Sequence, residues 1–507
     1  MKPIRILIFI FSVILLLVVA WYFFPAEGLA VGNHTLRFPS YQEDMDPNQE
    51  KKEMNVDSVI HKVEQSFILE CSDNLLDSMR YYRSYLKENP NRIYLPNDDY
   101  TFFDTLFYQL EHANDEGKTY RIMHYGDSQI EMDRISSVLR QNLQTLFGGS
   151  GPNMIPAIQP VATISVTQNA TNLNRYMVYG DAPRARHNRY GVMAQFSQVI
   201  GNGSITFIQT SHSQACPKVK QISTVSVLLG KNSQGFSATL KCQQIPSETK
   251  VLAANDGVSL ITWILPENVK RGTINFVGNA EIYAVLLDDD AGVAVDNVAL
   301  RGCSGNIFSL INENTLRQSF DLLNTRLIIL QFGGNRMPGI SSLSSISAYM
   351  DELEKQIKYL KRVAPEATML FIGPADMGKS YNGKMGTWKN LPELNDSLRA
   401  MTLRNDVAYW DMFHVMGGEG SMVHWVKHSP PYAGPDYVHF TFKGAQEIGN
   451  QLAKSFTTYY DFYKLRQHVP SDKVIEFINL DQKEDSIQTA RRIKMPFYQP
   501  DYVTKKR

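Results

Sequence analysis

Residues 121–136 read RIMHYGDSQIEMDRIS, and this stretch decides the fold that the sequence predicts. Ile122, Met123 and Tyr125 form a short apolar run that stops at Gly126, and from Ile130 onward apolar residues return at helical spacing. The pattern predicts a strand, a tight turn and a helix. Ser128 then lies where the strand ends and the helix begins, and the positive end of the helix dipole favours an anion there.

The same alternation of strand and helix returns in the second half of the chain. Apolar strand-like runs occur at Val293–Leu300, Arg326–Phe332, Thr368–Ile372 and Asp406–Trp410, with a helical pattern between them at 345–363. Continuous apolar runs are typical of parallel strands that are buried on both faces. The sequence therefore predicts an α/β domain with a doubly wound parallel sheet, whose site lies at the carboxyl ends of the strands.

The region 152–296 has a different character, because short β-prone runs recur there between turn residues. Such spacing predicts an antiparallel β-sandwich, inserted between the first and second parts of the α/β domain. Its aromatic residues either form the core of this insert or stack on sugar rings; they are Tyr176, Tyr179, Tyr190, Phe196 and Trp263.

The amino terminus carries a strongly apolar stretch, Ile6 to Phe24, preceded by Lys2 and Arg5. Its length and flanking charge predict a single transmembrane helix with a cytoplasmic amino terminus. A cleaved signal peptide, processed between Ala26 and Ala30, is the alternative. Bulky aromatic residues end the apolar run, which favours the uncleaved anchor. Either interpretation directs the remaining chain to the periplasmic or extracellular side.

The predicted organisation has six segments. They are a membrane anchor (1–30), a membrane-proximal helical lead-in (31–117), the first part of the α/β domain (118–151), the insert (152–296), the second part of the α/β domain (297–465) and a C-terminal tail (466–507).

The overall composition excludes some classes of function. The 51 basic and 51 acidic side chains of this 507-residue chain cancel, which argues against nucleic acid as the main partner. Four cysteines are few for a disulfide scaffold, and their spacing resembles no metal site. Cys216 and Cys242 either pair within the insert or remain thiols. The sequence calls for neither a metal nor another cofactor.

Three further positions join Ser128 at strand ends. Gly305 lies in a turn of small residues and can offer a backbone N–H, and Asn335 follows two glycines and can offer its side-chain amide. Asp436 and His439 lie in a loop just before a predicted helix. Their three-residue spacing lets the carboxylate hold the Nδ1–H of the imidazole.

These four blocks resemble the SGNH (GDSL-type) hydrolases, a family of esterases and lipases with a flavodoxin-like α/β fold. The blocks are GDS at 126–128, the turn glycine at 305, GGN at 333–335 and DxxH at 436–439, in the order of the family. The resemblance covers residues 118–150 and 297–465. Many members follow the asparagine of the third block with aspartate, whereas this chain has Arg336.

The resemblance implies a role for each matching residue. Ser128 is the expected nucleophile, His439 the general base and Asp436 its orienting carboxylate. The backbone N–H groups of Ser128 and Gly305 and the Asn335 amide are the expected oxyanion hole. Asp127 is expected to order the turn, while Arg336 and Trp425 are candidates to line the substrate site.

The architecture, with an extracytoplasmic anchor and a β-rich insert, resembles bacterial envelope O-acetylesterases. We therefore expect a serine esterase that removes O-acetyl groups from cell-envelope polysaccharide or peptidoglycan. A polysaccharide O-acetyltransferase that works with a membrane-bound acyl-donor partner is one alternative. A catalytically silent glycan-binding scaffold is another.

Overall fold

The structure is a computed structural model that describes residues 3–23, 29–31, 34–36, 75–243, 245–266 and 268–479. The chain forms two compact units, Met1–Asp73 and Asn74–Arg507.

The smaller unit contains helix α1 (Pro3–Phe23) and an antiparallel pair of strands, β1 (Leu29–Val31) and β2 (His34–Leu36). The predicted anchor falls on α1, and the side chains of residues 3–10 lie outside the described residues. Within the described part of the chain, no helix is long and apolar enough to cross a membrane. The membrane anchor therefore stays a prediction.

The larger unit contains the remaining elements. In chain order they are α2 (75–88), β3 (Ile93–Tyr94), α3 (Asp104–His112), β4 (Thr119–Gly126), α4 (Ser136–Phe147), β5 (Asn153–Ile155), β6 (Val166–Met177), β7 (Gln195–Gln209), β8 (Thr224–Cys242), β9 (Glu248–Leu252), β10 (Ser259–Ile264), β11 (Arg271–Asp288), β12 (Gly292–Ala299), α5 (Glu313–Leu322), β13 (Thr325–Gln331), α6 (Leu343–Val363), β14 (Thr368–Ile372), β15 (Gly378–Tyr381), β16 (Lys384–Thr387), α7 (Leu391–Arg404), β17 (Ala408–Trp410), α8 (Met412–Val415), α9 (Ser421–Lys427), α10 (Phe442–His468) and α11 (Ser471–Ile478).

The central sheet has six strands in the order β12-β4-β13-β14-β17-β3. The first five run parallel, and β3 pairs antiparallel with β17 at one edge. Counted along the chain, the five parallel strands have the order 2-1-3-4-5, which is the flavodoxin-like order. The predicted α/β fold is confirmed, with one antiparallel strand added at its edge.

Alternate residues of the parallel strands point into two separate cores. Ile122 and Leu370 belong to the core that contains residues of α4 and α10. Their neighbours Met123 and Phe371 belong to the core that contains residues of α6 and α7. Because both faces of the sheet are covered, every position of these strands favours an apolar side chain. The carboxyl ends of the strands meet at one edge, which carries the site.

The insert forms one seven-stranded antiparallel sheet, in which β10-β8-β11-β7-β6 are neighbours, β5 pairs with β11 and β9 pairs with β8. The predicted β-sandwich is not confirmed. The apolar runs at 273–277 and 281–287 belong to one strand, β11, whose pairing with β8 shifts register between Gly278 and Ala284. Such irregularities interrupt the alternating sequence pattern of a long strand, so that the pattern predicts two short strands.

The aromatic residues of the insert are mostly core. Trp263, Phe196 and Tyr190 are only 1%, 2% and 4% exposed, and the ring of Tyr176 stacks on Phe196 with centroids 5.1 Å apart. The rings of Trp263, Phe196 and Tyr190 are therefore too buried to stack on a sugar ring. The thiols of Cys216 and Cys242 are free.

Two predicted appendages form part of the larger unit. In the lead-in, Leu76 and Met79 of α2 are buried, and β3 extends the central sheet. In the predicted tail, α11 is covered, with Val474 and Phe477 0% exposed. The apolar residues of these short helices contribute to the core around α10. Residues 37–74 and 480–507 lie outside the described residues.

Candidate active site

Ser128 follows β4 and begins a short 3-10 segment, Ser128–Asp133. The predicted helix does not begin here. Met132 and Asp133 have positive φ angles of 63° and 64°, which an α-helix cannot contain, and α4 begins only at Ser136. The anion-stabilising helix end that the sequence predicted at Ser128 is therefore replaced by a tight turn.

His439 lies in the loop before α10. Its Nδ1 is 2.7 Å from Asp436 Oδ2, and Asp436 Oδ1 accepts hydrogen bonds from the backbone N–H groups of Val438 and His439 at 3.0 and 3.1 Å. Partial burial alone would raise the pKa of Asp436, but the hydrogen bonds from His439 and the loop backbone outweigh it. The pKa of Asp436 is therefore below its ordinary value, and the carboxylate stays charged.

The structure brings Ser128 and His439 together, although 311 positions separate them in the sequence. The Oγ of Ser128 is 2.9 Å from Nε2 of His439, on the opposite side of the ring from Asp436. Ser128, His439 and Asp436 thus form a continuous hydrogen-bonded series. This is the arrangement in which a histidine removes the proton of a serine nucleophile.

The series opens into a small pocket of about 70 Å³. The pocket lies at the carboxyl ends of β4, β13 and β14, and His439 closes one side. It is lined by Asp127, Ser128, Gln129, Gln331, Phe332, Gly334, Asn335, Pro374, Ala375, Met377, Met412, Val438 and His439.

Asn335 and Gly305 are held by neighbours of the nucleophile. The Nδ2 of Asn335 donates to Asp127 Oδ2 at 2.9 Å and to the Cys303 carbonyl at 3.2 Å. The N–H of Gly305 donates to the Cys303 sulfur at 3.3 Å, and Gly305 does not line the pocket. To bind an oxyanion, both donors must turn from these partners, and their role stays a prediction. Only glycine fits at 305, because φ is +84° and a Cβ would lie 2.9 Å from Phe332.

Asp127 fixes the turn that carries the nucleophile. Its Oδ1 accepts the backbone N–H of Gln129 at 2.9 Å, while Oδ2 accepts from Asn335. Burial raises the pKa of Asp127 to about 6, against the opposing effects of the Gln129 N–H, the nearby His439 and the Asn335 amide. The carboxylate therefore ties the first and third sequence blocks together.

Two candidate substrate-lining residues do not line the pocket. Arg336 pairs with Glu352 at 3.3 Å and lies over the ring of Tyr349. Trp425 donates its Nε1–H to the Met416 carbonyl at 3.1 Å, and its ring packs against Tyr432 and Phe440. Trp425 thus supports the histidine loop through Phe440.

Sequence reasoning missed two residues that join the serine and histidine segments. The Arg134 guanidinium donates to the carbonyl oxygens of Phe440 at 2.8 Å, Glu131 at 3.0 Å and Ser128 at 3.3 Å. The Nε2 of Gln129 donates to the Val438 carbonyl at 2.7 Å. The contacts with Phe440 and Val438 bridge 306 and 309 positions and involve backbone acceptors, so no pattern in one sequence identifies them.

A buried polar series lies beneath the pocket. His124, which is 0% exposed, contacts Gln331 Oε1 through Nε2 at 3.0 Å and Ser136 Oγ through Nδ1 at 2.9 Å. Asn297 Nδ2 donates to Ser136 Oγ at 2.8 Å. Burial lowers the pKa of His124 to about 4, opposed by the hydrogen bond with Gln331. His124 is therefore neutral at physiological pH, and it supports the pocket-lining Gln331.

A second Asp-x-x-His sequence, Asp411 to His414, has similar local geometry. His414 Nδ1 is 2.8 Å from Asp411 Oδ2. Asp411 caps α8 by accepting the His414 N–H at 3.1 Å, and it also accepts hydrogen bonds from Asn395 and Arg399. Neither residue lines the pocket. The motif alone therefore does not identify the catalytic histidine.

Residues 272–447 match the GDSL-like Lipase/Acylhydrolase family. The matched region contains Gly305, Asn335, Asp436 and His439, but it begins after Ser128. Ser128 lies outside the matched region, and the fold brings it next to His439. No curated protein sequence matches this chain.

Among solved structures, a peptidoglycan O-acetylesterase is similar with a TM-score of 0.56 and 20% identity, over 70% of this chain and 96% of that chain. At this identity the similarity is one of fold. A family two carbohydrate esterase from Cellvibrio japonicus matches with a TM-score of 0.25 and 9% identity, over 59% of this chain and 99% of that chain. A TM-score this low carries no further conclusion.

Proposed function

The chain belongs to the SGNH (GDSL-type) family of serine ester hydrolases, and we propose that it removes O-acetyl groups from cell-envelope polysaccharide or peptidoglycan. One observation carries the proposal: Ser128 Oγ, His439 and Asp436 are joined by contacts of 2.9 and 2.7 Å beside a pocket. The pocket volume of about 70 Å³ favours a short acyl group such as acetyl over a long acyl chain.

In the proposed reaction, His439 Nε2 takes the proton of Ser128 as Oγ attacks the ester carbonyl. Asp436 keeps the Nδ1–H tautomer in place and stabilises the imidazolium that forms. The protonated ring then gives its proton to the departing sugar oxygen, which leaves an acetyl group on Ser128. Water, deprotonated by His439, attacks this acyl-enzyme, and the imidazolium returns the proton to Ser128 Oγ as acetate leaves.

The oxyanion of each tetrahedral intermediate needs hydrogen-bond donors in the pocket. Ser128 and Asn335 line the pocket, whereas Gly305 does not and packs against Phe332. Loss of one such donor typically lowers turnover about a hundred- to a thousandfold. We propose that substrate binding redirects the Asn335 amide from Asp127 and the Cys303 carbonyl towards the oxyanion.

The proposed substrate class rests on the predicted location and on fold similarity. The solved structure with a TM-score of 0.56 is of a peptidoglycan O-acetylesterase. The apolar stretch from Ile6 to Phe24, preceded by Lys2 and Arg5, supports a site of action outside the cytoplasm. Protease accessibility of the larger unit in intact and lysed cells tests this location, and equal protection of that unit and a cytoplasmic marker would contradict it.

Acetate release from purified O-acetylated peptidoglycan tests the reaction. The purified protein should release acetate without a second protein, and Ser128→Ala should lower the rate by at least about 10⁴-fold. Ser304→Ala is a matched control in the neighbouring Gly305 turn. Equal rates for the wild type and Ser128→Ala would refute the acyl-enzyme. A requirement for a membrane acyl donor and a sugar acceptor would favour the acetyltransferase instead.

A further inference from the structure

The hairpin β15–β16 begins next to the active-site pocket. Met377, just before β15, lines the pocket together with Ser128 and His439. The N–H of Gly378 donates to the carbonyl of Tyr437 at 2.8 Å, inside the loop that carries Asp436 and His439. A Cβ at Gly378 would lie 2.6 Å from Tyr437 Cβ, so the hairpin and this loop are in direct contact.

The hairpin is basic, and it is flanked by Asp376, which is buried, and Glu393, which is exposed. Residues 377–392 contain Lys379, Lys384 and Lys389 and no acidic residue. All three lysines are exposed, and within the described part of the chain none forms a salt bridge. What distinguishes these three lysines is their position, since they lie on one short segment that contacts the loop of Asp436 and His439. Such a cluster raises the local concentration of anions.

Aromatic rings accompany these charges. Tyr381 is 40% exposed, and its hydroxyl accepts the backbone N–H of Lys389 at 3.0 Å. The Nζ of Lys379 lies 4.2 Å from the centroid of the half-buried Trp388 ring and 6.0 Å from that of Tyr381. The rings hold the hairpin in shape and offer apolar edges next to the lysines. Together they can contact both the apolar face and the carboxylate of an acidic sugar unit.

We propose that this basic hairpin, residues 377–392, binds carboxylate groups of the polymer whose acetyl ester enters the pocket. The inference rests on the proposed function and narrows it, because it assigns the substrate to acetylated polymers that carry carboxylates rather than to neutral glycans. The lysines bind units that flank the acetylated one, so they act on substrate affinity and leave the chemistry of Ser128 unchanged.

The test compares partially O-acetylated polygalacturonate with dextran acetylated to the same degree. The triple variant Lys379→Gln, Lys384→Gln, Lys389→Gln should raise KM for the polygalacturonate about tenfold at low salt, with kcat, and KM for dextran, unchanged. Raising the salt concentration from about 20 to about 500 mM should raise the KM of the wild type for polygalacturonate towards that of the variant, because exposed charges are screened. The control triple variant replaces exposed lysines on three other elements, Lys241, Lys355 and Lys454, with glutamine.

Hydrolysis of p-nitrophenyl acetate separates the two proposals. If the wild type and the hairpin variant cleave this small ester equally, the catalytic machinery is intact. An unchanged KM for polygalacturonate in the hairpin variant would then overturn the hairpin proposal alone. If the wild type cleaves neither p-nitrophenyl acetate nor either polymer, the proposed function fails. An equal loss of affinity in the control triple variant would also refute a specific role for the hairpin.

Discussion

Two loops of this molecule carry the same Asp-x-x-His spacing, and they differ in what faces the carboxylate and the second ring nitrogen. The Nδ1–Oδ2 distances are 2.8 Å in the 411–414 loop and 2.7 Å in the 436–439 loop, and the histidine side chains are 50% and 42% exposed. Asp411 is 0% exposed and Asp436 is 51% exposed.

The environments of the two carboxylates explain this difference. Asp411 accepts from Asn395, Arg399 and the His414 backbone, so it is a structural cap that holds α7 and α8 together. Among the described residues, Asp436 accepts from its own loop and from the His439 ring, whose other nitrogen contacts Ser128. Local spacing thus builds an Asp–His pair, whereas the tertiary fold decides whether that pair meets a nucleophile.

The largest expected effect separates the two histidines. His439→Ala should lower kcat for p-nitrophenyl acetate by about 10⁴- to 10⁶-fold, because in the described part of the chain His439 is the base that contacts the Ser128 hydroxyl. His414→Ala should stay within about twofold of the wild type, since its ring faces away from the pocket. Steady-state kinetics of both variants measure the contrast. Comparable losses in the two would show that our assignment of the catalytic loop is wrong.

A smaller effect is expected at the guanidinium that joins the serine and histidine segments. Arg134→Ala should lower kcat by tens to about a hundredfold with little change in KM, because a misplaced nucleophile costs rate rather than affinity. Arg134→Lys should rescue little, since one ammonium group cannot reproduce the planar fork that reaches three carbonyls.

Arg301→Ala is the matched control for Arg134. Arg301 pairs with Glu131 in the same region but is 67% exposed, so the variant should stay within about twofold of the wild type. A thermal unfolding scan accompanies the kinetics. A loss of stability without a loss of kcat in Arg134→Ala would reduce this residue to a purely structural role.

The smallest expected effect concerns the buried His124. Its pKa is about 4 in the folded chain and about 6.5 when unfolded, so the unfolded state binds the proton more readily between these values. The neutral ring thus contributes stability above about pH 6.5, and this contribution is lost as the pH falls towards 4. Between pH 7 and pH 5 the free energy of unfolding should drop by about 2 kcal/mol from this group.

Urea unfolding of the wild type and His124→Gln at both pH values measures this contribution. The variant should lose less stability on acidification than the wild type, and the control variant His424→Gln, at an exposed histidine, should behave like the wild type. Parallel losses in all three proteins would argue against a neutral, buried His124.

Much of the central sheet could be predicted because its physics is repetitive. A strand covered on both faces favours apolar residues along most of its length, and each such run in the second half of the chain became a parallel strand. The four sequence blocks fall at the ends of these strands or in the loops beyond them. Their order predicted that Ser128 would meet His439, which the 2.9 Å contact confirms.

What could not be predicted depends on contacts or backbone angles that leave no local pattern. The delay of α4 to Ser136 follows from positive φ at Met132, a residue type that rarely adopts it, and at the following Asp133. The single sheet of the insert was missed because irregular pairing divides β11 into two apparent strands. Arg134 was missed because its acceptors are backbone carbonyls, one of them 306 positions away.

The distance along the chain between β4 and its neighbours has a consequence for biosynthesis. β4 pairs with β12 and β13, which are translated only after the whole insert. At about 5–20 residues per second, the ribosome needs roughly ten to thirty seconds to pass from Gly126 to Gly292. During that interval the nascent chain carries an apolar strand with no partner on either edge. A chaperone that covers this strand until β12 and β13 have been translated should raise the yield of active enzyme.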